Sequence, residues 1–121
     1  MSVVIEVDAN DFHETVAEVE KPIVVEFWVR SCSNCRRFKA VYEQLPKVFG
    51  DQVVFCKINM FKTMENLKLA ESLNIIETPT TKIFFQGNEI GEVIGYRTLD
   101  VMIDEVKTIL SDKQRLIGDS V

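Results

Sequence analysis

Two cysteines, Cys32 and Cys35, are the residues of this chain best suited to chemistry, and only Ser33 and Asn34 separate them. They follow a mostly apolar run, residues 23–29, and open a segment that is expected to be helical. Thiols three positions apart in the first turn of a helix lie on one face, where a reversible disulfide can join them. The positive end of the helix dipole also favours the thiolate of Cys32. By itself, this spacing suits redox chemistry and metal binding about equally.

A metal site would normally need two further ligands. Cys56 and His13 are the remaining cysteine and histidine of the chain. Cys56 lies in an apolar strand-like run and is expected in the core as a small hydrophobe. His13 falls on the first predicted helix and is expected at the surface. We therefore expect no metal site, and the position of the pair after a buried strand favours redox chemistry.

The charge of the chain is unevenly distributed. The net charge is −5, yet residues 28–41 contain four cations and no acid, namely Arg30, Arg36, Arg37 and Lys39. Cations are disfavoured in the first turn of a helix, so this cluster suggests thiolate stabilisation or target steering rather than only a solvated face. The chain is acidic overall and has no basic stripe with interleaved aromatic residues, so we do not expect it to bind nucleic acid.

The length and composition fit one globular domain. The chain has 121 residues, of which 46% are hydrophobic. We expect the domain to span residues 1–112 and a frayed tail to span 113–121. No apolar run approaches the roughly 20 residues needed to span a bilayer. The odd number of cysteines and the absence of a signal-peptide pattern predict a cytoplasmic protein without membrane association. The size and the acidic surface suit a monomer.

The elements that must position the cysteines follow the order β-α-β-α-β-α-β-β-α. The predicted strands are 3–7, 23–28, 52–58, 80–86 and 89–95. The first predicted helix is capped by Asp8 or Asn10 and runs to about residue 20, and the others are 34–49, 63–73 and one that is capped by Thr98 or Asp100. Phe12, Val16 and Val19 form the apolar face of the first helix, and Pro46 should kink or divide the second. Strands that alternate with helices should be parallel, whereas the turn at Gly87-Asn88 makes the last two antiparallel. The fold class is therefore α/β, a mixed five-stranded sheet with helices on both faces.

Residues 2–111 resemble the thioredoxin family. The matching segments are Val25-Glu26-Phe27-Trp28, the pair Cys32 and Cys35, Lys57-Ile58-Asn59, Thr78-Pro79-Thr80, Gln86-Gly87-Asn88-Glu89 and Val93-Ile94-Gly95. Their order along the chain makes the resemblance specific. It implies the thioredoxin fold, with the reactive pair at the end of the second strand and facing a cis-proline loop.

The resemblance also implies an activity, the reduction of protein disulfides by dithiol-disulfide exchange. Cys32 would be the nucleophile and Cys35 the resolving thiol. The redox-active disulfide would serve in place of a cofactor. The partners would be disulfide-containing target proteins and a thioredoxin reductase or a similar electron donor. The alternatives are an oxidant or isomerase of the same fold, and a non-catalytic binding or metal-carrying module.

Glu26 and Lys57 are candidate catalytic residues. Glu26 interrupts an apolar run, and a buried carboxylate must be paired or protonated, with its pKa raised. It could then take the proton of Cys35 during resolution, a role that the resemblance supports, with Lys57 as its partner. The alternatives are an exposed edge position for Glu26 and a solvated strand-end position for Lys57.

Four residues are candidates for target binding. The resemblance implies a cis bond before Pro79, which would turn the backbone of Thr78 toward the cysteines to pair with an extended peptide. Gly95 would allow the backbone of a target to come close on the same rim. The alternative is that Gly95 is an ordinary turn glycine. Trp28 could shield the dithiol or fill the core.

The segment between the cysteines departs from the family pattern. Ser33-Asn34 stands where the family typically has Gly-Pro. Ser31, Glu26 and Ala40 stand where the family often has Trp, Asp and Pro. Asn34 could cap the helix. Because no proline restrains the loop, we expect a redox potential above that of a typical thioredoxin.

Overall fold

A computed structural model describes the backbone of residues 3–18 and 20–118 and contains a five-stranded sheet. The strands are β1 (Val4–Glu6), β2 (Ile23–Trp28), β3 (Val54–Asn59), β4 (Thr80–Phe85) and β5 (Asn88–Ile94). The helices are α1 (Ala9–Glu18), α2 (Ser33–Tyr42), α3 (Leu45–Phe49), α4 (Met64–Ser72) and α5 (Leu99–Gly118).

The strand order across the sheet is β1-β3-β2-β4-β5. Strand β3 is parallel to both β1 and β2, whereas β4 is antiparallel to β2 and to β5. The predicted mixed sheet is confirmed. Strand β2, which carries the chain toward the cysteines, lies at the centre, where both of its edges are hydrogen-bonded.

Helices cover both faces of the sheet. Successive side chains of a strand point to opposite faces. Val25 and Phe27 of β2 accordingly join a core cluster with residues of α1 and α4. Val24 joins a second cluster with residues of α2 and α5. By the same alternation, Glu26 lies on the face that α2 covers, beneath the helix that begins at the cysteines.

The helix that was predicted over residues 34–49 is divided. The break falls at Glu43 and Gln44, between α2 and α3. Pro46 lies in the first turn of α3, where a missing N–H leaves no hydrogen bond unmade. The prediction that Pro46 kinks or divides the helix is confirmed, and the break itself precedes the proline.

Several boundaries differ from the predicted ones. The turn between β4 and β5 is formed by Gln86 and Gly87, with φ angles of 53° and 80°, one residue earlier than expected. Residues 50–52 form a 3₁₀ turn, so β3 begins at Val54. Helix α5 continues through residues 113–118 of the expected tail. Val19 and residues 119–121 lie outside the described residues. No helix among those described is long and apolar enough to cross a membrane.

A buried asparagine connects three elements. Asn66, with 0% of its surface exposed, accepts a hydrogen bond from the Ala9 amide at the start of α1 (2.8 Å). Its side-chain amide donates to the Asp8 carboxylate (3.1 Å) and to the Asn59 carbonyl at the end of β3 (3.0 Å). Asn66 therefore fixes α1 and α4 to the end of the sheet where β3 terminates.

Strand β4 carries a buried lysine. The ammonium of Lys82 pairs with the carboxylates of Glu89 and Glu92 on β5, at 2.8 and 2.9 Å. Burial opposes the charge of Lys82, but its hydrogen bonds to the two carboxylates raise its pKa above the ordinary value. These ion pairs satisfy a charge that would otherwise be costly to bury.

Candidate active site

Cys32 and Cys35 lie where β2 gives way to α2. A disulfide joins them, with their Cα atoms 5.2 Å apart. The backbone N–H of Cys35 donates to the sulfur of Cys32 (3.0 Å). Cys32 is half-buried, whereas Cys35 is 5% exposed. The structure thus places one sulfur at the surface, at the positive end of a helix, with the second directly behind it.

The cap of α2 differs from the one proposed from the sequence. The capping residue is Cys32 itself, whose sulfur accepts the Cys35 amide. Asn34 lies inside the first turn, and its side-chain oxygen accepts a hydrogen bond from Arg37 (3.3 Å). The suggestion that Asn34 caps the helix was wrong, because the helix begins one residue before it.

The loop before β4 lies against the cysteines. The Thr78–Pro79 bond is cis, as expected. The sulfur of Cys32 is 3.3 Å from the carbonyl oxygen of Thr78. Gly95, with a φ of 91°, donates its amide to the Pro79 carbonyl (2.8 Å). The positive φ makes glycine the favoured residue there, and the hydrogen bond places its backbone on the rim of the site.

Glu26 lies in the central strand and not at an edge. It is 4% exposed, and Lys57 is its register partner on β3. Burial raises the pKa of Glu26 to about 7, because desolvation outweighs the attraction of Lys57 and the negative charges of Glu6 and Glu43 add to the effect. A group with this pKa can both accept and release a proton near neutral pH.

A pocket of about 200 Å³ connects these groups. Its walls include Glu26, Lys57, Trp28 and Cys35, so the acid and the second thiol face the same space. Trp28 is half-buried, and the Lys57 ammonium lies 5.5 Å from the centre of its ring. Its indole N–H is buried without an acceptor among the described residues. Trp28 therefore lines the pocket beside the dithiol.

Three cationic residues that were not assigned to the site individually from the sequence also line this pocket. They are Arg30, Arg36 and Lys39. The sequence identified them only as members of a charge cluster. Lys39 lies one helical turn beyond Cys35, and this i, i+4 spacing is the signal that places both on one face of α2.

The remaining candidate metal ligands, Cys56 and His13, lie on different elements, β3 and α1. Cys56 is 1% exposed within β3, and burial raises the pKa of its thiol to about 11. His13 is exposed on α1. In the described part of the chain, no three His, Cys, Asp or Glu side chains are grouped so that they could hold a metal ion. The core position predicted for Cys56 is confirmed.

Comparisons with known proteins agree with this geometry. The family model described as Thioredoxin matches residues 3–108. Thioredoxin 1 of Synechococcus elongatus is 34% identical over 95 residues, which are 78% of this chain and 86% of that protein. The thioredoxin of Griffithsia pacifica is 30% identical over 86 residues, 71% of this chain and 76% of that protein.

A solved structure extends the likeness to three dimensions. The short form of thioredoxin F from spinach chloroplast superposes with a TM-score of 0.79 at 28% identity, over 89% of this chain and 94% of that one. The family match, the fold and the Cys32–Cys35 pair agree. This chain belongs to the thioredoxin family of thiol-disulfide oxidoreductases, which reduce protein disulfides.

Proposed function

We propose that Cys32 attacks the disulfides of target proteins and that Cys35 completes their reduction. The observation that carries this assignment is the difference between the two sulfurs. Cys32 is half-buried and receives the Cys35 amide at the start of α2, whereas Cys35 is buried behind it. A thiolate at a helix start is stabilised by the N–H groups and the dipole, and only an accessible thiolate can reach a target.

The reaction consists of two exchanges. The Cys32 thiolate attacks one sulfur of the target disulfide, the target S–S bond breaks, and the released sulfur takes up a proton. Cys35 then loses its proton and attacks the sulfur of Cys32 in the mixed disulfide. The Cys32–Cys35 bond forms and the second target sulfur leaves as a thiolate that is protonated. The target gains two electrons and two protons, and this protein is oxidised.

Glu26 is the proposed acceptor of the Cys35 proton. It lines the same pocket as Cys35, and a carboxyl group with a pKa near 7 exchanges protons readily at neutral pH. Lys57 stabilises the carboxylate form that must be present before the transfer. The proton then returns to water through the pocket.

Target binding is proposed for the rim beside Cys32. The Thr78 backbone, 3.3 Å from the Cys32 sulfur, is placed to pair with an extended peptide by β-augmentation. Pro79 and Gly95 shape the same rim. Trp28 shields the dithiol from the other side.

The electrons are proposed to pass through the cysteine pair alone, without a bound cofactor. A thioredoxin reductase or a similar dithiol donor would restore the reduced form. The protein would work as a monomer in the cytoplasm, a compartment that keeps thiols reduced. The spinach relative comes from a chloroplast, so localisation of the tagged protein should be compared with markers of both compartments.

Two cysteine variants test the roles. Cys32→Ser should abolish turnover, because no nucleophile remains. Cys35→Ser should accumulate mixed disulfides with targets, which non-reducing gels and mass spectrometry detect. Cys56→Ala serves as the control and should keep turnover, since Cys56 lies in the core of β3. Equal and mild losses in Cys32→Ser and Cys35→Ser would contradict the assignment.

The direction of the reaction needs a separate assay. With thioredoxin reductase and NADPH, insulin disulfides should be reduced catalytically. An oxidant or isomerase would instead form or rearrange disulfides in a reduced, unfolded protein faster than it reduces insulin. Faster oxidation than reduction would favour that alternative.

A further inference from the structure

The pocket beside Cys35 has a positively charged rim. Arg30, Arg36 and Lys39 line it, and all three are exposed to solvent. Lys57 lines it from β3. Among the described residues, its one carboxylate is Glu26, which is buried and has a pKa of about 7. The pocket therefore attracts an incoming anion through its cations, and it contains little fixed negative charge that would repel the anion.

In the described part of the chain, Arg30, Arg36 and Lys39 form no ion pair. The ion pairs of the described residues involve other cations, in the pairs Lys62–Asp8, Lys82–Glu89, Lys82–Glu92 and Arg97–Glu105. The guanidinium of Arg36 donates instead to the carbonyl of Arg30 (3.0 Å), across the turn that precedes Cys32. This bond orders the side chain of Arg36 beside the dithiol and leaves its charge available.

Arg37, the fourth cation of the cluster, does not line this pocket. Arg37 lies over the ring of Tyr96, 4.3 Å from its centre. Arg36 and Arg37 occupy the first turn and a half of α2, where the helix dipole disfavours cations. A local rule broken next to a reactive group is a sign of function.

The whole charge distribution orients a partner. The residues outside 28–41 carry a net charge of −9, so the cysteines lie in a positive region of an otherwise acidic molecule. An acidic surface is attracted to that region and repelled by the rest. A basic surface is drawn away from the cysteines.

We propose that this pocket receives an aspartate or glutamate side chain next to the disulfide of a protein target. The protein then prefers targets whose disulfides are surrounded by acidic residues. This inference rests on the proposed function and adds its substrate class. Charges at a rim act mainly on association rate and selectivity, so acidic targets are reduced faster at low ionic strength.

Matched peptides test the preference. Three disulfide peptides differ only in the residues that flank one cysteine, which are Glu, Gln or Lys. The fully reduced protein is mixed with each, and the second-order rate constant is followed by acid quench and chromatography. At about 20 mM salt the Glu peptide should react roughly 3-fold faster than the Gln peptide and about 10-fold faster than the Lys peptide, and about 300 mM salt should largely remove these ratios.

Charge-removing variants locate the site. Arg36→Gln and Lys39→Gln should each slow the Glu peptide by roughly 3-fold and change the Gln peptide less than about 2-fold. Lys107→Gln removes the same charge from an exposed position on α5, outside the pocket, and should leave the ratio unchanged. Equal slowing of both peptides in Arg36→Gln and Lys39→Gln overturns the inference, because the cations would then act on the thiolate.

The outcomes separate this inference from the function on which it rests. Wild-type protein that reduces none of the three peptides contradicts the proposed function. Wild-type protein that reduces the Glu and Gln peptides at equal rates at low salt keeps that function and overturns the acidic-target preference alone.

Discussion

Glu26 shows how a single side chain links the fold to the chemistry. The carboxyl group is in the central strand of the sheet, on the face that α2 covers, and it lines a pocket with Cys35. Burial favours its protonated form, so the folded protein holds a proton that the unfolded chain has lost. Ionised Glu26 therefore destabilises the folded protein, and this effect increases with pH. Such a cost is consistent with a role in proton transfer.

The pH dependence of stability measures this cost. The pKa of Glu26 is about 7 in the folded protein against an ordinary 4.5. Between these values the folded state binds more protons, so the free energy of unfolding falls as pH rises, by about 3 kcal/mol in all. Glu26→Gln should lose most of this pH dependence and be the more stable protein at pH values of about 8. Urea unfolding of the oxidised proteins would measure both effects.

Glu14→Gln is the control for that experiment. Glu14 is exposed on α1, so its removal should leave the pH profile of wild type unchanged. A Glu26→Gln variant with the wild-type profile would show that Glu26 titrates alike in the folded and unfolded chains.

The residues between the cysteines set a second prediction. Ser33 and Asn34 occupy the first turn of α2 without the restraint of a proline. The redox potential should lie above the roughly −270 mV of thioredoxin, and the Ser33→Gly, Asn34→Pro double variant should lower it. Equilibration with a reference dithiol measures both values. A wild-type potential as low as that of a Gly-Pro thioredoxin would refute the prediction.

At the scale of elements, Asn66 joins parts of the chain that sequence distance separates. Its side chain binds the start of α1 and the end of β3, and its backbone N–H donates to the capping hydroxyl oxygen of Thr63 at the start of α4 (2.9 Å). Helix starts carry unpaired N–H groups, and a buried partner that satisfies them fixes the helix against the sheet.

Asn66→Ala should destabilise the protein by about 1–3 kcal/mol, because it removes the acceptor of the Ala9 amide and one of the two hydrogen bonds that the Asn59 carbonyl accepts. Asn10→Ala, at an exposed position of α1, is the matched control. Chemical denaturation gives the difference in unfolding free energy. Hydrogen exchange should also accelerate at the Ala9 amide more than in the core of β2, and uniform acceleration would argue against a local role.

At the scale of the whole molecule, the disulfide and the fold stabilise each other. The Cys32–Cys35 bond closes a short loop within a structure that already holds the two residues together. If folding stabilises the disulfide relative to the dithiol, the redox potential falls in proportion, by about 30 mV for each 1.4 kcal/mol of that stabilisation. A fold that stabilises the disulfide more than the dithiol would make the protein a better reductant.

Reduction should lower the free energy of unfolding by about 2 kcal/mol, the loop entropy expected for so short a loop. Urea unfolding with and without excess dithiol would measure the difference. The Cys32→Ser, Cys35→Ser double variant is the control, since dithiol should not affect it. Equal stability of the oxidised and reduced forms would contradict the coupling.

Local patterns in the sequence were enough for the order of elements, the mixed sheet and the position of the reactive pair. These features depend on periodicity, on turn residues and on the short spacing of Cys32 and Cys35, all of which act between near neighbours. The boundaries at Pro46 and at Gln86-Gly87 were displaced by a few residues, because helix breaks and turns have several acceptable positions in the chain.

The tertiary structure alone decided the environment of each group. The value of the Glu26 pKa, the hydrogen bonds of Asn66, and the position of Lys57 in one pocket with the cations of α2 all depend on residues far apart in sequence. Burial and electrostatic interaction are set by distance in space, which a sequence pattern does not contain. The cysteines could therefore be found in the sequence, whereas the surroundings that control their chemistry required the folded chain.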